Sequence, residues 1–198
     1  MFGTVQPGDI RYRDLNNDHY IDETDVTEIG RPAYPRWSYS FGGDVAWKGF
    51  DFSVFFSSAA GGSVNLLDYS AQTRAFVNNG NAYKIAKGAW AYYPEQGIDT
   101  RNSATYPRLT TQNNENNYRA STFWIRKSDY LRIKEIELGY DFSQKLIRNL
   151  DIAKLRVYVN ASNPVTFSNL LRNYKMDPES RYGYPALQSY NVGVQVTF

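Results

Sequence analysis

Between Asp14 and Asp25 the chain reads Asp-Leu-Asn-Asn-Asp-His-Tyr-Ile-Asp-Glu-Thr-Asp, with oxygen-bearing side chains at the first, third, fifth, ninth and twelfth positions. An EF-hand loop uses this spacing to wind carboxylate and amide oxygens around calcium, a hard cation that takes about six to eight oxygen ligands. Asp14, Asn16, Asp18, Asp22 and Asp25 are therefore candidate ligands, and Tyr20 at the seventh position would offer its carbonyl. Ile21 would anchor the loop by packing inward. Two departures bear on affinity: His19 stands where the sharp turn favours glycine, and Asp25 has a shorter arm than the customary Glu. The expected role for calcium is structural. The competing explanation is an Asx-rich turn satisfied by its own hydrogen bonds.

A second cluster is aromatic. Trp90, Tyr92 and Tyr93, with Tyr106 and Tyr118 nearby in sequence, have faces that can stack on a sugar ring or contact a partner. A loop packing its own aromatic residues explains them equally well. Beyond these, chemistry is sparse. His19 is the only histidine and there is no cysteine, which removes disulfides, thiolate catalysis and cysteine-ligated zinc. No Gly-x-Ser-x-Gly, phosphate-cradling glycine loop or paired-histidine motif occurs, so no enzyme activity is expected. A net charge of +2 without a basic run gives no reason to expect nucleic acid as a partner.

The elements that would position these residues are strands. Aromatic residues make up 16% of the chain, Tyr alone numbers 17, and residues that favour strands outweigh those that favour helices. Tyr190, Val192, Val194, Val196 and Phe198 alternate with Asn191, Gly193, Gln195 and Thr197, the period of a strand with one apolar face. Trp37, Tyr39, Phe41, Val45 and Trp47 do the same, Lys48-Gly49 makes a tight turn, and the chain returns through Phe50, Phe52, Val54 and Phe56. A long strand is expected from about Thr122 to Phe142, with a bulge near Lys134-Glu135, where the parity of Leu131 and Ile133 gives way to that of Ile136, Leu138 and Tyr140. Leu155, Val157, Val159 and Ala161 form another strand. A helix is expected within Val64 to Val77, and a helical turn at Gln144 to Arg148.

Turn lengths alternate: two residues at 48–49, a long excursion at 58–121, a modest turn at 143–152 and a polar loop at 168–186. Outer-membrane barrels alternate short periplasmic turns with long external loops in this way, and their strands hide from a hydropathy average. The mean hydropathy here is −0.57, and no apolar run of about 18 residues offers a membrane helix. The expected fold is all-β: about five C-terminal antiparallel strands of a transmembrane β-barrel with long extracellular loops. Residues 1–36 would be an extracellular loop carrying the acidic motif, and 37–198 the barrel segment, together one domain. The chain opens without the basic and apolar stretches of a signal peptide, so it is expected to be the C-terminal piece of a longer protein.

Several stretches, taken in order, resemble the late region of SusC/RagA-type TonB-dependent outer-membrane transporters of Bacteroidetes. They are Pro7-Gly8-Asp9-Ile10-Arg11-Tyr12-Arg13-Asp14-Leu15-Asn16-Asn17-Asp18, Ile29-Gly30-Arg31-Pro32, Lys48-Gly49-Phe50-Asp51-Phe52, Tyr106-Pro107-Arg108-Leu109, Phe123-Trp124-Ile125-Arg126, Tyr130-Leu131-Arg132-Ile133-Lys134, Leu138-Gly139-Tyr140, Leu155-Arg156-Val157-Tyr158-Val159 and Asp177-Pro178-Glu179. The resemblance implies a barrel of about 22 strands with an N-terminal plug, located in the cell outer membrane and facing its lipid. It further implies energy from TonB acting through a plug region outside this chain, a SusD-like surface lipoprotein as lid, and an oligosaccharide or peptide as cargo. Family members commonly carry glycine where His19 stands. The alternative is a soluble secreted β-domain, supported by calcium, that binds carbohydrate; a β-rich glycoside hydrolase fragment is more remote and would need two convergent carboxylates.

Overall fold

Lys48 and Gly49 adopt φ of 48° and 91°, the doubly left-handed pair of a two-residue hairpin turn whose twist matches that of its strands. A Cβ on Gly49 would lie 2.8 Å from the Asp141 carbonyl oxygen, so the turn excludes a side chain by contact as well as by φ. The turn joins β1 (Trp37–Trp47) to β2 (Phe50–Ala60), as the alternation predicts. In this computed structural model, which describes residues 2–69, 73–147, 149, 152–180 and 184–198, further elements follow in chain order. They are β3 (Ser63–Asn65), α1 (Leu66–Tyr69), β4 (Tyr92–Tyr93), β5 (Ile98–Asp99), β6 (Ile125–Lys127), β7 (Tyr130–Asp141), α2 (Gln144–Ile147), β8 (Lys154–Ser168), α3 (Asn169–Tyr174) and β9 (Ser189–Thr197).

The chain forms two compact units, Met1–Ala33 with Ser63–Lys127, and Tyr34–Gly62 with Ser128–Phe198. The second is one antiparallel sheet in the order β1-β2-β7-β8-β9. It is not closed: β1 and β9 are its edges, each paired on one side among the described residues. The fold is thus mostly β with a few short helices, and the partial wall of five strands matches the expected number. No helix among the described residues is long and apolar enough to cross a membrane, which says nothing of strands.

The register resolves the parity break. Ile133 pairs with Phe56 and Glu135 with Phe55, so Lys134 is an extra residue on β7. It puts Leu131 and Ile133 on the same face as Ile136, Leu138 and Tyr140, as a bulge should. On β8 the matching irregularity lies between Ser162 and Val165, where Asn163 takes φ of 52°. Pro164, which lacks an N–H, sits just beyond the last β9 pair, at Ser162–Ser189, where no ladder bond is lost.

Three expectations are corrected. The strand expected from Thr122 is two: Ile125–Lys127 pairs with β3 in the first unit, and β7 begins only at Tyr130, after a break at Ser128-Asp129. The helix expected within Val64 to Val77 is present as α1 but begins only at Leu66, because Ser63–Asn65 are drawn into the pairing with β6; residues 70–72, Ala71 among them, lie outside the described residues. The last polar loop begins with α3, a helix capped by Ser168, whose hydroxyl accepts from the Leu170 N–H at 3.2 Å. The turn at Gln144 is helical, and Arg148 lies outside the described residues.

The first unit is loop-rich but has its own core. Leu66, Ala75, Tyr106 and Trp124 are buried, with Tyr106 and Trp124 edge-to-face at 5.7 Å. The polar atoms of these two rings are paired: Tyr106 donates its hydroxyl to the Thr73 carbonyl at 2.7 Å, and the Trp124 indole N–H donates to the Asn117 carbonyl at 2.7 Å.

Candidate functional site

The five-stranded sheet has two chemically opposite faces. Register partners place Trp47, Phe50, Tyr140, Val157 and Val194 in one row, then Val45, Phe52, Leu138, Val159 and Val192, then Val54, Ile136, Ala161 and Tyr190. Every one of these side chains is apolar or aromatic, and many are open to the surroundings: Trp37 is 71% exposed, Trp47 66% and Val192 77%. Such a run of exposed apolar side chains across five strands is far more than the few exposed groups of an ordinary soluble monomer's surface, whose largest apolar patch is ~300–600 Å². Aromatic residues cluster at the turn end, where Phe50 and Tyr140 meet at 4.5 Å and Tyr140 and Phe142 at 5.0 Å. Trp37 and Tyr39 mark the other end of β1.

The opposite face is a charged and amide network. Arg156 holds Asp51 at 2.6 Å and Glu137 at 2.7 Å. Asn160 donates to Glu137 Oε2 at 3.2 Å and receives from Asn191 at 2.9 Å, which carries the network from β2 to β9. Gly139 leaves room for it, since a Cβ there would be 2.4 Å from Arg156 Nη2. Toward the long-loop end Arg132, 1% exposed, is fixed by Asp177 at 2.7 Å, by Glu179 and by the Thr166 hydroxyl at 2.8 Å. Asp177 also accepts the N–H groups of Glu179, Ser180 and Ala186. Burial alone would raise the Asp177 carboxyl, but these donors and the Arg132 charge hold it below the usual carboxylate range. Asp177, Glu179, Ser180 and Ala186 are thereby latched to the polar face. A sheet apolar on one side and ionic on the other can separate hydrocarbon from an aqueous space.

In the loop unit, the residues from Asp14 to Asp25 form a tight wrap. Asp14 accepts from the N–H groups of Asn17 at 2.6 Å and His19 at 2.9 Å. Asn16 Oδ1 accepts from Asp18, Asp18 Oδ1 from Tyr20, and Asp22 Oδ1 from both the N–H and hydroxyl of Thr24. Asp25 closes the loop by accepting from Leu15 at 2.7 Å and Asp22 at 3.0 Å. These donors hold the Asp22 and Asp25 carboxyls below their ordinary values. His19 takes φ of 70°, the left-handed conformation that glycine prefers at the sixth position of an EF-hand loop. Among the described residues no three carboxylate, histidine or thiol side chains converge as a metal cluster. The donor set is oxygen only, the type calcium takes, and Asp22 Oδ1 already spends both its lone pairs on Thr24.

The aromatic trio is only partly brought together. Trp90 packs across Gly8, where a Cβ would be 2.5 Å from the indole ring, and the Trp90 backbone N–H donates to the Tyr106 carbonyl. It lines a cleft of about 430 Å³ with Arg11, Arg101, Pro107 and Phe123. Tyr92 pairs with Asp99 and lies under the Arg101 guanidinium at 3.8 Å, while Tyr93, 57% exposed, stands outside that cleft's lining. Sequence reasoning missed the buried anchor of this unit. The Asp9 side chain is fully buried and accepts from Arg108 at 2.7 Å, Asn114 at 3.0 Å, Asn117 at 2.7 Å and the Gln6 N–H at 2.8 Å. Burial works against its charge, but those donors keep the carboxyl low. Nothing in the spacing of Asp9 and Arg108, ninety-nine residues apart, signals the pair.

No protein-family model matches the chain. It is similar to TonB-dependent receptor P3 of Formosa agariphila, with 25% identity over 212 residues that take in 100% of this chain and 20% of the relative. Its fold is similar to that in the structure of the RagAB peptide importer in the open-open state, with a TM-score of 0.63 and 23% identity over 90% of this chain and 19% of that one. The closed-closed state gives a TM-score of 0.64 and 24% identity over 90% and 19%. The chain therefore spans about a fifth of the length of the relatives it matches. With a two-faced wall of five strands, that fold and a sequence match running its whole length, the chain is similar to one segment of a TonB-dependent receptor and shares the fold of the matching part of the RagAB importer.

Proposed function

We propose that this segment supplies five adjacent wall strands and external loops of an outer-membrane barrel that imports a nutrient with energy from TonB. The observation that carries the reading is the sheet itself: a continuous apolar face with aromatic ends, backed by a paired ionic face. Eleven residues of β1 at ~3.3 Å each, tilted ~40–45°, rise about 25 Å, the height of the apolar band of such barrels. A soluble domain would have to leave that face in water. The long loops then face outward and the short turns inward.

The cargo in this reading is a peptide or oligosaccharide, captured beneath a SusD-like lipoprotein, with the Trp90 cleft and the exposed rings of Tyr92 and Tyr93 as its contact surface. Likeness to the RagAB peptide importer supports the peptide alternative, and the SusC/RagA resemblance supports the lipoprotein. TonB would act through a plug region contributed by sequence outside this chain. Asp14, Asn16, Asp18, Asp22, Asp25 and the Tyr20 carbonyl would hold a calcium ion that stiffens its loop. The support for that is the glycine-like backbone of His19 and the oxygen-only donor set.

The chain contains no cysteine, which permits a direct test. Single Val192→Cys and Asn191→Cys variants, labelled with an environment-sensitive dye, are folded into phosphatidylcholine vesicles. Quenching of position 192 by a lipid-borne quencher and of position 191 by aqueous iodide supports the wall. Equal quenching of both by iodide overturns it.

A further inference from the structure

The apolar face has a depression at its long-loop end. Tyr39, Ser58, Leu131 and Phe167 are register partners across β1, β2, β7 and β8. Tyr39 and Phe167 stand more than half exposed, but Ser58 is 3% exposed and donates its hydroxyl to the Tyr130 carbonyl at 2.5 Å. Ala60, next on the same face, is also small. A groove of about 640 Å³ runs over these small residues, and α3 edges it with Leu171, Arg172 and Lys175. The helix is held there by its Ser168 cap and by Leu170, 2% exposed.

The charges at the edge are not used internally. Among the described residues Arg172 has Asn169 Oδ1 as its partner at 3.0 Å, and neither Arg172 nor Lys175 meets a carboxylate in an ion pair. The one carboxylate lining the groove, Asp129, accepts from the Gly61 N–H at 2.8 Å. An acyl chain alone needs no cation, and a soluble anion needs no apolar floor. A floor of Tyr39, Leu131 and Phe167 ending at two exposed cations suits a molecule that has both parts.

We infer that this groove seats a net-anionic phospholipid, its acyl chain along the Tyr39–Leu131–Phe167 row and its uncompensated phosphate between Arg172 and Lys175. The inference rests on the bilayer-spanning reading proposed above and adds a specific lipid site to it. Two cations at a charged lipid surface correspond to about a thirtyfold preference for the anionic lipid.

The test folds the chain into nanodiscs of equal phosphatidylcholine and phosphatidylglycerol and counts retained lipids by native mass spectrometry. Arg172→Gln with Lys175→Asn removes both charges, and asparagine suits the left-handed φ of 60° at position 175. Lys87→Gln with Lys145→Gln is the charge-matched control. Phosphatidylglycerol retained about thirtyfold over phosphatidylcholine by the unaltered chain and the control, and lost from the first pair, supports the site. Equal retention by all three overturns it while leaving the wall standing, as does inorganic phosphate binding as tightly as the lipid. Failure to enter even a pure phosphatidylcholine bilayer overturns the site and the wall together.

Discussion

Replacing Val54 by arginine separates a membrane wall from a soluble sheet more sharply than any other single change. Val54 sits four residues from Phe50 on β2, with Gly43 and Ile136 as its cross-strand partners. Four residues at ~3.3 Å are about 13 Å along the strand, or roughly 9–10 Å in depth at a ~45° tilt, close to the middle of a ~25 Å apolar band. Arginine at that depth costs about 2–4 kcal/mol on the lipid face of a barrel. At ~1.4 kcal/mol per factor of ten, 3 kcal/mol lowers the folded-to-unfolded ratio by a factor of about 150. Ser53→Arg is the matched control. Ser53 lies on the ionic face between Asp44 and Glu137 in the register, where a cation meets carboxylates. In water both substitutions fall within about 0.5 kcal/mol of the parent, as surface changes do. The assay is urea unfolding in phosphatidylcholine vesicles, followed by tryptophan fluorescence. Val54→Arg unfolding within about 0.5 kcal/mol of the parent, or Ser53→Arg proving equally damaging, refutes the wall.

Asp177→Asn takes from the buried Arg132 guanidinium the more deeply buried of its two carboxylate partners and leaves Glu179, and a loss of up to about 3–5 kcal/mol is expected, read as lost amide protection across residues 175–180 in hydrogen exchange. Because the folded Asp177 carboxyl titrates below its ordinary value, the latch is fully present above the unfolded pKa of ~3.9 and is released as pH falls through the lower folded one; protection relative to the intrinsic exchange rate that stays flat from pH 6 down to pH 2 would contradict this. His19→Gly relieves a left-handed non-glycine residue at about 1–2 kcal/mol, so calcium affinity measured by titration calorimetry should rise roughly five- to thirtyfold; no heat from either form at millimolar calcium removes calcium from the loop. Asp9→Asn takes a charge from a fully buried side chain that holds Arg108, and melting of the loop residues should move down by several degrees with the β-sheet signal unchanged.

Much of the wall was legible because a strand writes its faces into sequence at period two. Trp37 to Trp47, Phe50 to Phe56 and Tyr190 to Phe198 needed no partner to be recognised, and the parity break at Lys134 told of the bulge before its register was known. The start of β7 was not legible. Thr122 to Lys127 has strand composition, but its pairing with Ser63–Asn65 is a tertiary choice that overrides local preference. The acidic loop showed its spacing, yet the inward turn of each carboxylate to a loop N–H is a geometric outcome. Least legible were Asp9 with Arg108 and Arg132 with Asp177, pairs made by contacts between segments remote in the chain. Their residues look like ordinary surface charges until burial is seen.

The bulge at Lys134 also bears on how such a wall can change length over generations. Everywhere else along these strands, losing one residue exchanges the faces of all that follow, sending ionic groups toward hydrocarbon and aromatic rings into water. At Lys134 the strand already carries one residue too many. Excising it joins Ile133 to Glu135 and Ile136 with the inside–outside alternation unbroken. The side chain forfeited is the one that reaches Glu179 at 3.3 Å, an exposed contact of small worth. Lineages of this wall can thus gain or shed a residue at this one height, and the variable lengths of related strands should meet there.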